Sequence, residues 1–340
     1  MPRPPAPVRL GLIGAGRIGT SHARVIAERV PGAVLAAVAD ARPGAADLLA
    51  EQHGAAVLED PQALIDDPGV QAVVITASST AHSELIVAAA QAGKPVFCEK
   101  PASMTLAEMD RALAAVDEAG VTLQVGFNRR FDVGFVAART AVADGVVGQV
   151  QLMRSLTRDP GLTNPAGVPP WTIFTQTLIH DFDALLWLNP GASPVEVYAT
   201  ADALVAPDLK DAGLLDTAVV VVTFDNGARA VAEASFSAAY GYDVRAEVFG
   251  SAGMVSVGDG ARSSARVLTS TGGAHDTVRG DVELMIDAYT AEFVEFVAAV
   301  REGRSPSVTG RDARRALALA LASIDSYRAH GPVHVTEAQA

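Results

Sequence analysis

The length and composition of the chain exclude several classes of protein. Its 340 residues, 49% hydrophobic and 19% charged, are enough for about two domains of ~150 residues and unlike a disordered, fibrous or disulfide-stapled chain. The formal net charge of −13 argues against a nucleic-acid partner, because an acidic surface repels phosphate backbones.

Apolar runs alternate with helical segments through the first third of the chain. The prolines among residues 2–7 predict a loose leader, because proline lacks the amide donor that a strand needs. Runs rich in valine and isoleucine without polar alternation are typical of parallel strands covered on both faces. Five strands are predicted, at Val8–Ile13, Val34–Ala39, Val70–Ala77, Pro95–Glu99 and Val121–Phe127, with helices at Ser21–Val30, Ala45–His53, His82–Ala92 and Leu106–Ala119. The alternation predicts a doubly wound parallel sheet over residues 1–125.

The pattern changes after residue 125. The turn Asp225–Gly227 lies between two apolar runs and is a hairpin signal, which indicates antiparallel strands. Strands are predicted at Gln149–Thr157, Val195–Ala201, Asp216–Phe224, Ala228–Phe236 and Asp243–Gly250, and helices at Thr172–Leu188, Val282–Glu302 and Gly310–His330. Residues 126–340 are therefore predicted to form an α+β domain, and the whole chain is predicted to be an α/β protein of two domains.

Neither secretion nor membrane insertion is predicted. The single cysteine, Cys98, has no partner for an internal disulfide, and the first ten residues lack the apolar core of a secretory signal. The longest apolar runs fall well short of the roughly 20 residues that cross a bilayer. We therefore expect a cytoplasmic protein without a membrane partner.

A glycine-rich turn joins the first predicted strand to the first predicted helix. In the motif Gly14-Ala-Gly16-Arg17-Ile18-Gly19, Gly14 permits a tight turn, Gly16 lets a pyrophosphate approach the backbone and Gly19 allows close helix packing. The free amides at the start of the helix then bind the phosphates. Because a strand and a helix flank the motif, we predict that the turn, with Arg17 and Ile18, binds a dinucleotide in a Rossmann fold.

An acidic residue at the end of the second strand indicates which dinucleotide is bound. Asp40 can accept hydrogen bonds from the ribose hydroxyls and repel a 2′-phosphate, which favours NAD over NADP. Arg42 weakens this preference, because a guanidinium group can bind a 2′-phosphate. We favour the alternative that Arg42 is a solvated loop residue beside the cofactor.

Lysine is rare in this chain, which has three lysines against 23 arginines. Lys100 follows the fourth predicted strand in Glu99-Lys100-Pro101, where ligands bind in open α/β sheets, so Glu99 and Lys100 are expected to contact the cofactor. The Lys100 ammonium group can also hydrogen-bond a substrate oxygen that changes between alcohol and ketone, and stabilise its developing negative charge. The alternative is a surface lysine paired with Glu99.

One predicted helix of the second domain carries a polar stripe. Gln176 and His180 are four residues apart on one face, with Asp183 close by. An imidazole with a pKa near neutrality can remove an alcohol proton, although His180 can also be a structural residue bonded to Asp183 or a carbonyl. Trp171, at the start of this helix, is expected to stack on a sugar face or to belong to the core. No metal-ligand motif is found, and no metal is predicted.

Four polar residues follow other strands of the first domain. Ser78 and His82 are expected to line the nicotinamide side of the cofactor site, although Ser78 can instead cap the next helix. Asn128 and Arg129 follow the last strand, where they can donate to sugar hydroxyls or pair with Asp132.

Together, these segments resemble the glucose–fructose oxidoreductase, inositol dehydrogenase and rhizopine catabolism family of NAD(P)-dependent oxidoreductases. The resemblance covers nearly the whole chain and is closest to the inositol dehydrogenase branch. It rests on the glycine motif and on the segments Thr76–His82, Ala92–Pro101, Gly126–Asp132, Arg158–Pro160, Ile179–Asp183 and Tyr240–Asp243.

The resemblance implies a Rossmann domain followed by a substrate-binding domain with a large, mostly antiparallel open sheet, whose exposed face pairs subunits into dimers or tetramers. It also implies that Lys100 and His180 are catalytic. We therefore predict an NAD-dependent dehydrogenase that oxidises a secondary hydroxyl of a cyclitol or sugar to the ketone. Lys100 would hold the reacting oxygen and His180 would take the proton.

One residue departs from the inositol dehydrogenase pattern. The resemblance implies an aspartate four residues before the helical histidine, and this chain has Gln176 there. An amide cannot ionise, so Gln176 cannot take a proton or raise the basicity of the imidazole by its charge. Three consequences are open: Gln176 selects a different substrate, a carboxylate such as Asp159 or Asp183 supplies the charge, or catalysis is weak. We favour altered substrate choice, with Asp159 and Gln176 among the substrate-binding residues and Gln176 also in the catalytic set with Lys100 and His180.

Two other functions remain as alternatives. A dinucleotide-binding protein without turnover is supported by Gln176, whereas Lys100 and His180 argue against it, because a binding protein needs neither group. Hydride transfer between two sugars by tightly held NADP is disfavoured by Asp40 and by the lack of an export signal.

Overall fold

A computed structural model describes residues 6–258 and 261–335, so the predicted leader lies mostly outside the described residues. The chain divides into two compact units, each built from two segments of the chain. We call them unit 1 (residues 1–131 and 286–314) and unit 2 (residues 132–285 and 315–340).

Unit 1 is built around a parallel sheet of six strands in the order β3-β2-β1-β4-β5-β6. This order is that of a doubly wound Rossmann sheet, which confirms the predicted fold class. Its elements are β1 (Val8–Ile13), α1 (Arg17–Arg29), β2 (Ala33–Ala39), α2 (Asp47–His53), β3 (Ala56–Val57), α3 (Pro61–Asp66), β4 (Ala72–Ile75), α4 (His82–Gln91), β5 (Val96–Glu99), α5 (Leu106–Ala119) and β6 (Leu123–Gly126).

Every strand predicted for this part of the chain is present, and β3 and α3 are additions. β3 has two residues and α3 has six, which is too short for a hydrophobic period to be visible. The start of α3 nevertheless carries a local signal, because Asp60 caps the helix by accepting from the Ala63 amide and Pro61 occupies the first helical position.

Residues 286–314 belong to unit 1, whereas the sequence analysis assigned the whole chain beyond residue 125 to the second domain. The physical reason is aromatic packing. Phe293 and Phe296 are fully buried, and their ring centroids lie 4.4 and 5.9 Å from that of Phe97 on β5. A segment that follows the second domain in the chain therefore completes the core of the first unit.

Unit 2 contains a mixed sheet of seven strands in the order β12-β11-β7-β10-β9-β8-β15, in which only β7 and β10 pair in parallel among the described residues. Strands β13 and β14 form a separate hairpin. From residue 132 onward the elements are α6 (Val133–Ala143), β7 (Val150–Arg158), α7 (Leu178–Leu188), β8 (Pro194–Asp202), β9 (Thr217–Phe224), β10 (Arg229–Ser235), β11 (Asp243–Gly250), β12 (Met254–Val257), β13 (Ala261–Thr269), β14 (Gly272–Thr277), α8 (Asp281–Glu302), α9 (Gly310–Ala329) and β15 (Val333–His334). Most of α8 lies in unit 1, and most of α9 lies in unit 2.

The two faces of the seven-stranded sheet differ in exposure. On β9, Val220 and Val222 point inward and are fully buried, whereas Val219 and Val221 are 37% and 36% exposed. Side chains alternate between faces along a strand, so one face of the sheet forms the core of unit 2 and the other, partly apolar, is open.

Two further features concern the single cysteine and the length of the helices. Cys98 is a fully buried residue of β5. Within residues 6–258 and 261–335, no helix combines the length and the apolar character needed to cross a membrane.

Candidate active site

Two glycines of the motif after β1 are required by the chain itself. Gly14 has a φ of +105°, and a Cβ atom there would lie 2.6 Å from the backbone of Thr76 and Ala77. A Cβ atom on Gly19 would lie 1.9 Å from the Gly14 carbonyl oxygen. The Thr76 hydroxyl donates to this same oxygen at 2.7 Å, so the end of β4 supports the turn.

Gly16 differs, because the protein leaves space around it. A Cβ atom on Gly16 would have no other protein atom within 4 Å, although the residue is the N-cap of α1 and has no side-chain cap. The first amides of a helix need acceptors, and the helix dipole favours a negative charge there. The open backbone at Gly16 therefore fits the pyrophosphate of a dinucleotide.

The carboxylate of Asp40 is fixed beside this turn. It accepts hydrogen bonds from the amides of Ala15 (2.8 Å) and Arg42 (2.9 Å) and from Nε of Arg42 (3.1 Å). Burial raises the pKa of Asp40, but these hydrogen bonds and the charge of Arg42 outweigh it, so the pKa lies below its ordinary value. Asp40 is therefore an ionised acceptor, and the Arg42 guanidinium group binds it.

A groove of about 540 Å³ brings most of the predicted cofactor residues together. It also includes Thr76 and Ala77 at the end of β4. Ser78 lines it and makes no side-chain cap to the following helical turn, which argues against its alternative role. The predicted cofactor residues that line the groove are Gly14, Gly16, Arg17, Ile18, Asp40, Arg42 and Ser78, whereas Gly19, His82, Glu99 and Lys100 lie outside its lining.

His82 is buried rather than open to a ligand. Its ring nitrogens lie 2.8 Å from the Pro101 carbonyl oxygen and 3.0 Å from that of Ala77. Burial lowers the pKa of His82 more than these carbonyls raise it. The ring therefore joins the end of β4 to the segment that follows β5.

Lys100 follows β5, is half-buried and precedes Pro101 through a cis peptide bond. Its backbone amide donates to Glu99 Oε2 at 3.1 Å, and His22 Nε2 lies 2.7 Å from Glu99 Oε1. The sequence did not single out His22, which lies on the buried side of α1 three residues after Gly19. A histidine among the apolar residues of that helix face was the available signal.

Gln176 and His180 lie at the start of a buried helix in unit 2. Both are partly exposed, whereas Ile179 and Phe182 beside them are buried. Residues 173–177 form a π-helical turn before α7, where the sequence predicted one regular helix, and such turns are frequent at functional sites. Asp183 is fully buried, so the exposed part of the predicted stripe consists of Gln176 and His180.

A buried carboxylate fixes α7 against the sheet. Asp181 accepts hydrogen bonds from the hydroxyls of Ser155 (2.6 Å) and Thr157 (2.7 Å), both on β7. Asp181 directly follows His180, so these bonds set the position of the histidine backbone. This role of Asp181 is not visible in the sequence, because its partners are more than 20 residues away along the chain.

The remaining candidates lie in different environments. Asn128 and Arg129 are buried in a 3₁₀ turn after β6, and Asp159 is half-buried just after β7. The Trp171 ring has the Arg328 guanidinium carbon 4.6 Å from its centroid, so its own chain covers part of the surface predicted to stack on a sugar.

The doubly wound sheet, the open glycine turn and the ionised acid at the end of β2 define a dinucleotide-binding Rossmann protein. The family described as "Oxidoreductase family, NAD-binding Rossmann fold" matches residues 8–127, and the GFO/IDH/MocA C-terminal domain matches residues 135–256. The chain belongs to the GFO/IDH/MocA family and is an NAD-dependent oxidoreductase. The predicted family and cofactor are thereby confirmed.

The chain is similar to several inositol dehydrogenases over almost its whole length. It is 38% identical to a myo-inositol 2-dehydrogenase of Thermotoga maritima (97% of this chain, 99% of that protein). It is 35% identical to a scyllo-inositol 2-dehydrogenase (NAD⁺) of Bacillus subtilis (96% of each chain). Its structure matches a Lactobacillus casei scyllo-inositol dehydrogenase with bound NAD(H) and scyllo-inositol, with a TM-score of 0.92, 27% identity and coverage of 97% and 98% of the two chains.

Proposed function

We propose that this protein oxidises a secondary hydroxyl group of a cyclitol, or of a closely related sugar, to a ketone with NAD as the oxidant. The observation that carries the proposal is the similarity over nearly the whole chain to several inositol dehydrogenases. The open backbone at Gly16 and the ionised Asp40 support the cofactor part. The partly exposed pair Gln176 and His180, in an otherwise buried helix, supports the polyol part.

The proposed chemistry divides the two hydrogens of the alcohol between different acceptors. The Lys100 ammonium group donates a hydrogen bond to the reacting oxygen and stabilises the negative charge that develops as the O–H bond breaks. The His180 imidazole accepts the proton. NAD, when bound, supplies the acceptor for the hydride from carbon. The substrate loses one proton and one hydride and becomes a ketone.

Gln176 is proposed to select the substrate rather than to take part in proton transfer. Its amide both donates and accepts hydrogen bonds, so it can orient hydroxyl groups beside His180 without contributing charge. The fully buried Asp183 is poorly placed to replace an exposed carboxylate. We therefore expect the substrate to be a cyclitol or sugar whose hydroxyl groups are arranged to hydrogen-bond with the Gln176 amide.

The same glutamine supports a second candidate function, a protein that binds a dinucleotide and a polyol without turnover. An amide cannot supply the charge that an aspartate would add beside the histidine. The two functions make opposite predictions about NADH formation, so one assay separates them.

The test is reduction of NAD by the purified protein with a panel of inositols, hexoses and anhydrosugars. Lys100→Ala is expected to lower turnover by at least about 100-fold, since one charged donor at a reacting oxygen contributes about that much. Lys210→Ala is the matched control, because Lys210 is an exposed lysine paired with Asp202. NADH formation that survives Lys100→Ala contradicts the role of Lys100. Binding of NAD with no turnover of any substrate supports the second function.

The role of Gln176 has its own test. Gln176→Asp is expected to raise turnover of an inositol if the missing charge alone limits the reaction. Gln176→Asn serves as the control, because it shortens the side chain and adds no charge. If Gln176→Asp leaves inositol turnover unchanged while another polyol is oxidised well, Gln176 determines substrate choice instead.

The open face of the seven-stranded sheet is proposed to join copies of this chain. Tyr198, Val221 and Val231 are neighbours across three adjacent strands on this face, with Leu152 and Phe249 paired nearby. Such an exposed apolar surface is typical of an interface. Val221→Arg is expected to yield a smaller species in sedimentation velocity, whereas Val146→Arg, at an exposed valine outside the sheet, is expected to leave the mass unchanged. An unchanged mass for Val221→Arg contradicts this interface.

A further inference from the structure

Three ionisable side chains meet inside unit 1, beside the residue that precedes Lys100. His22 lies on α1, Glu99 ends β5 and Glu292 lies on α8. The exposed fraction is 0% for His22 and Glu292 and 6% for Glu99. One side-chain atom from each residue lies within 4.8 Å of the others. We call this group the buried triad.

Within the triad, Glu99 has hydrogen-bond donors on both oxygens. His22 Nε2 lies 2.7 Å from Oε1, and the backbone amide of Lys100 donates to Oε2 at 3.1 Å. Burial raises the pKa of Glu99, but the hydrogen bond and charge of His22 and the positive charge of Lys100 outweigh it. The pKa of Glu99 is therefore lowered.

Glu292 is in the opposite situation. Among the residues that the structure describes, neither of its carboxyl oxygens has a hydrogen-bond partner, and His22 Nδ1 has none either. Burial, and secondly the charge of Glu99, raise the pKa of Glu292 well above its ordinary value. The rings of Tyr289 and Phe293 pack against His22 at centroid distances of 5.2 and 4.9 Å, so the surroundings are apolar. Two carboxyl groups this close cannot both ionise at neutral pH.

A metal ion is the alternative ligand for these three residues. The distance between His22 and Glu99 favours a hydrogen bond instead. Two ligands of a tetrahedral zinc ion, each about 2.0 Å from the metal, lie about 3.3 Å apart. His22 Nε2 and Glu99 Oε1 are 2.7 Å apart, which is the distance of a direct hydrogen bond.

We infer that Glu99 is a positioning residue for Lys100, and that Glu292 is its neutral counterpart, which leaves the negative charge of the triad on Glu99. The Glu99 carboxylate accepts a hydrogen bond from the backbone amide of Lys100 and so holds the Lys100 backbone. The negative charge of Glu99 also favours the protonated form of the Lys100 side chain. This inference rests on the proposed function only for the catalytic role of Lys100. The arrangement of charges can be tested without any turnover.

The first experiment uses lysine reactivity, because the chain contains only Lys94, Lys100 and Lys210. Only the neutral amine reacts with acetylating reagents. At a fixed pH below the pKa, a tenfold change in the neutral fraction corresponds to a change of about one unit in the lysine pKa. In Glu99→Gln, Lys100 is expected to be acetylated about tenfold faster at pH 8, as measured by mass spectrometry. Glu292→Gln makes the same chemical change on the neighbouring carboxyl group and is expected to leave the rate unchanged. Lys94 and Lys210 are references within the same chain.

The second experiment examines Glu292 in the unaltered protein, so it does not depend on the folding of Glu99→Gln. Infrared spectroscopy at pH 7 is expected to detect the carbonyl band of a protonated carboxyl group, and this band should disappear in Glu292→Gln. Absence of the band in the unaltered protein overturns the assignment of charge. The assignment of charge is also overturned if the unaltered protein contains one equivalent of a transition metal and Glu292→Gln does not.

Kinetics then connect the triad to catalysis. Glu99→Gln is expected to lower kcat by at least about tenfold and to move the alkaline limb of its pH profile to lower pH, while Glu292→Gln changes kcat less than about twofold. Equal losses in the two variants, or no change in lysine reactivity, overturn the inference. If the unaltered protein oxidises no polyol, the proposed function fails, and lysine reactivity still decides the role of Glu99.

Discussion

The glycine turn of unit 1 and the start of α7 in unit 2 are both helix termini that carry proposed site residues, and they are held in place differently. The glycine turn depends on backbone geometry, because Gly14 and Gly19 occupy positions where a Cβ atom would collide with the main chain. The α7 helix depends on side chains, because Asp181 binds Ser155 and Thr157 on another element. The first arrangement can be recognised from neighbouring residues, and the second requires the tertiary structure.

The largest expected effect tests the glycine turn. Gly19→Ala places a Cβ atom against the Gly14 carbonyl oxygen, so the helix or the turn must move. We expect the free energy of unfolding to fall by about 3 kcal/mol, the upper range for overpacking, and NADH binding to be lost. Urea unfolding and NADH fluorescence measure the two effects.

Gly16→Ala is the matched control, because its added Cβ atom meets no protein atom. The free energy of unfolding should change by less than about 1 kcal/mol, as expected for a modest change of N-cap. NADH should bind at least about tenfold more weakly, since the methyl group occupies the space assigned to the pyrophosphate. Unchanged NADH affinity in Gly16→Ala would contradict that assignment.

The next effect tests the side-chain anchor of α7. Asp181→Ala leaves the buried hydroxyls of Ser155 and Thr157 without their acceptor, and we expect a loss of about 2–3 kcal/mol in unfolding free energy. Asp181→Asn keeps an acceptor oxygen and should lose about half as much. Kinetics should then separate anchoring from general stability, because turnover per folded molecule falls in Asp181→Ala if the anchor positions His180. A variant as stable as the unaltered protein would show that these bonds do not hold the helix.

The smallest expected effect concerns the pH dependence of stability. Asp181 is buried with two hydroxyl donors, whereas the buried Glu292 carboxyl group has no donor among the described residues. The raised pKa of Glu292 means that the folded protein holds this proton more tightly than the unfolded chain does. Its contribution to stability is complete at low pH and is lost as pH rises from about 4.5 through the raised pKa. Relative to Glu292→Gln, the unaltered protein should therefore lose up to about 1.4 kcal/mol per pH unit in this window.

Glu295→Gln, on the same helix, is the control of opposite sign. The hydrogen bond from Arg304 lowers the pKa of Glu295, so its contribution is present above the ordinary pKa and is lost as pH falls. Unfolding followed from about pH 3 to pH 9 should show the Glu292→Gln difference changing above about pH 4.5 and the Glu295→Gln difference changing, with the opposite sign, below about pH 4.5. Parallel curves for the unaltered protein and Glu292→Gln would show that Glu292 titrates normally.

The strands of unit 1 and the groove at its glycine motif were predictable because their signals are local. The run Val8–Ile13, the glycine motif and Asp40 lie within one β-α-β unit of the chain, and the groove brings them together as expected. Expectations for single side chains were less successful. His82 was expected to line the cofactor site, and the structure buries it between two carbonyl groups.

The sequence by itself determined the doubly wound fold and the place of the proposed dinucleotide site. The hydrophobic period and the glycine motif depend on consecutive residues, so both are visible in the order of those residues. Only the tertiary structure decided that residues 286–314 complete unit 1 and that Glu292 lies beside Glu99. Those two residues are 193 positions apart in the chain. Their protonation depends on burial and on each other's charge, and neither quantity exists until the chain has folded.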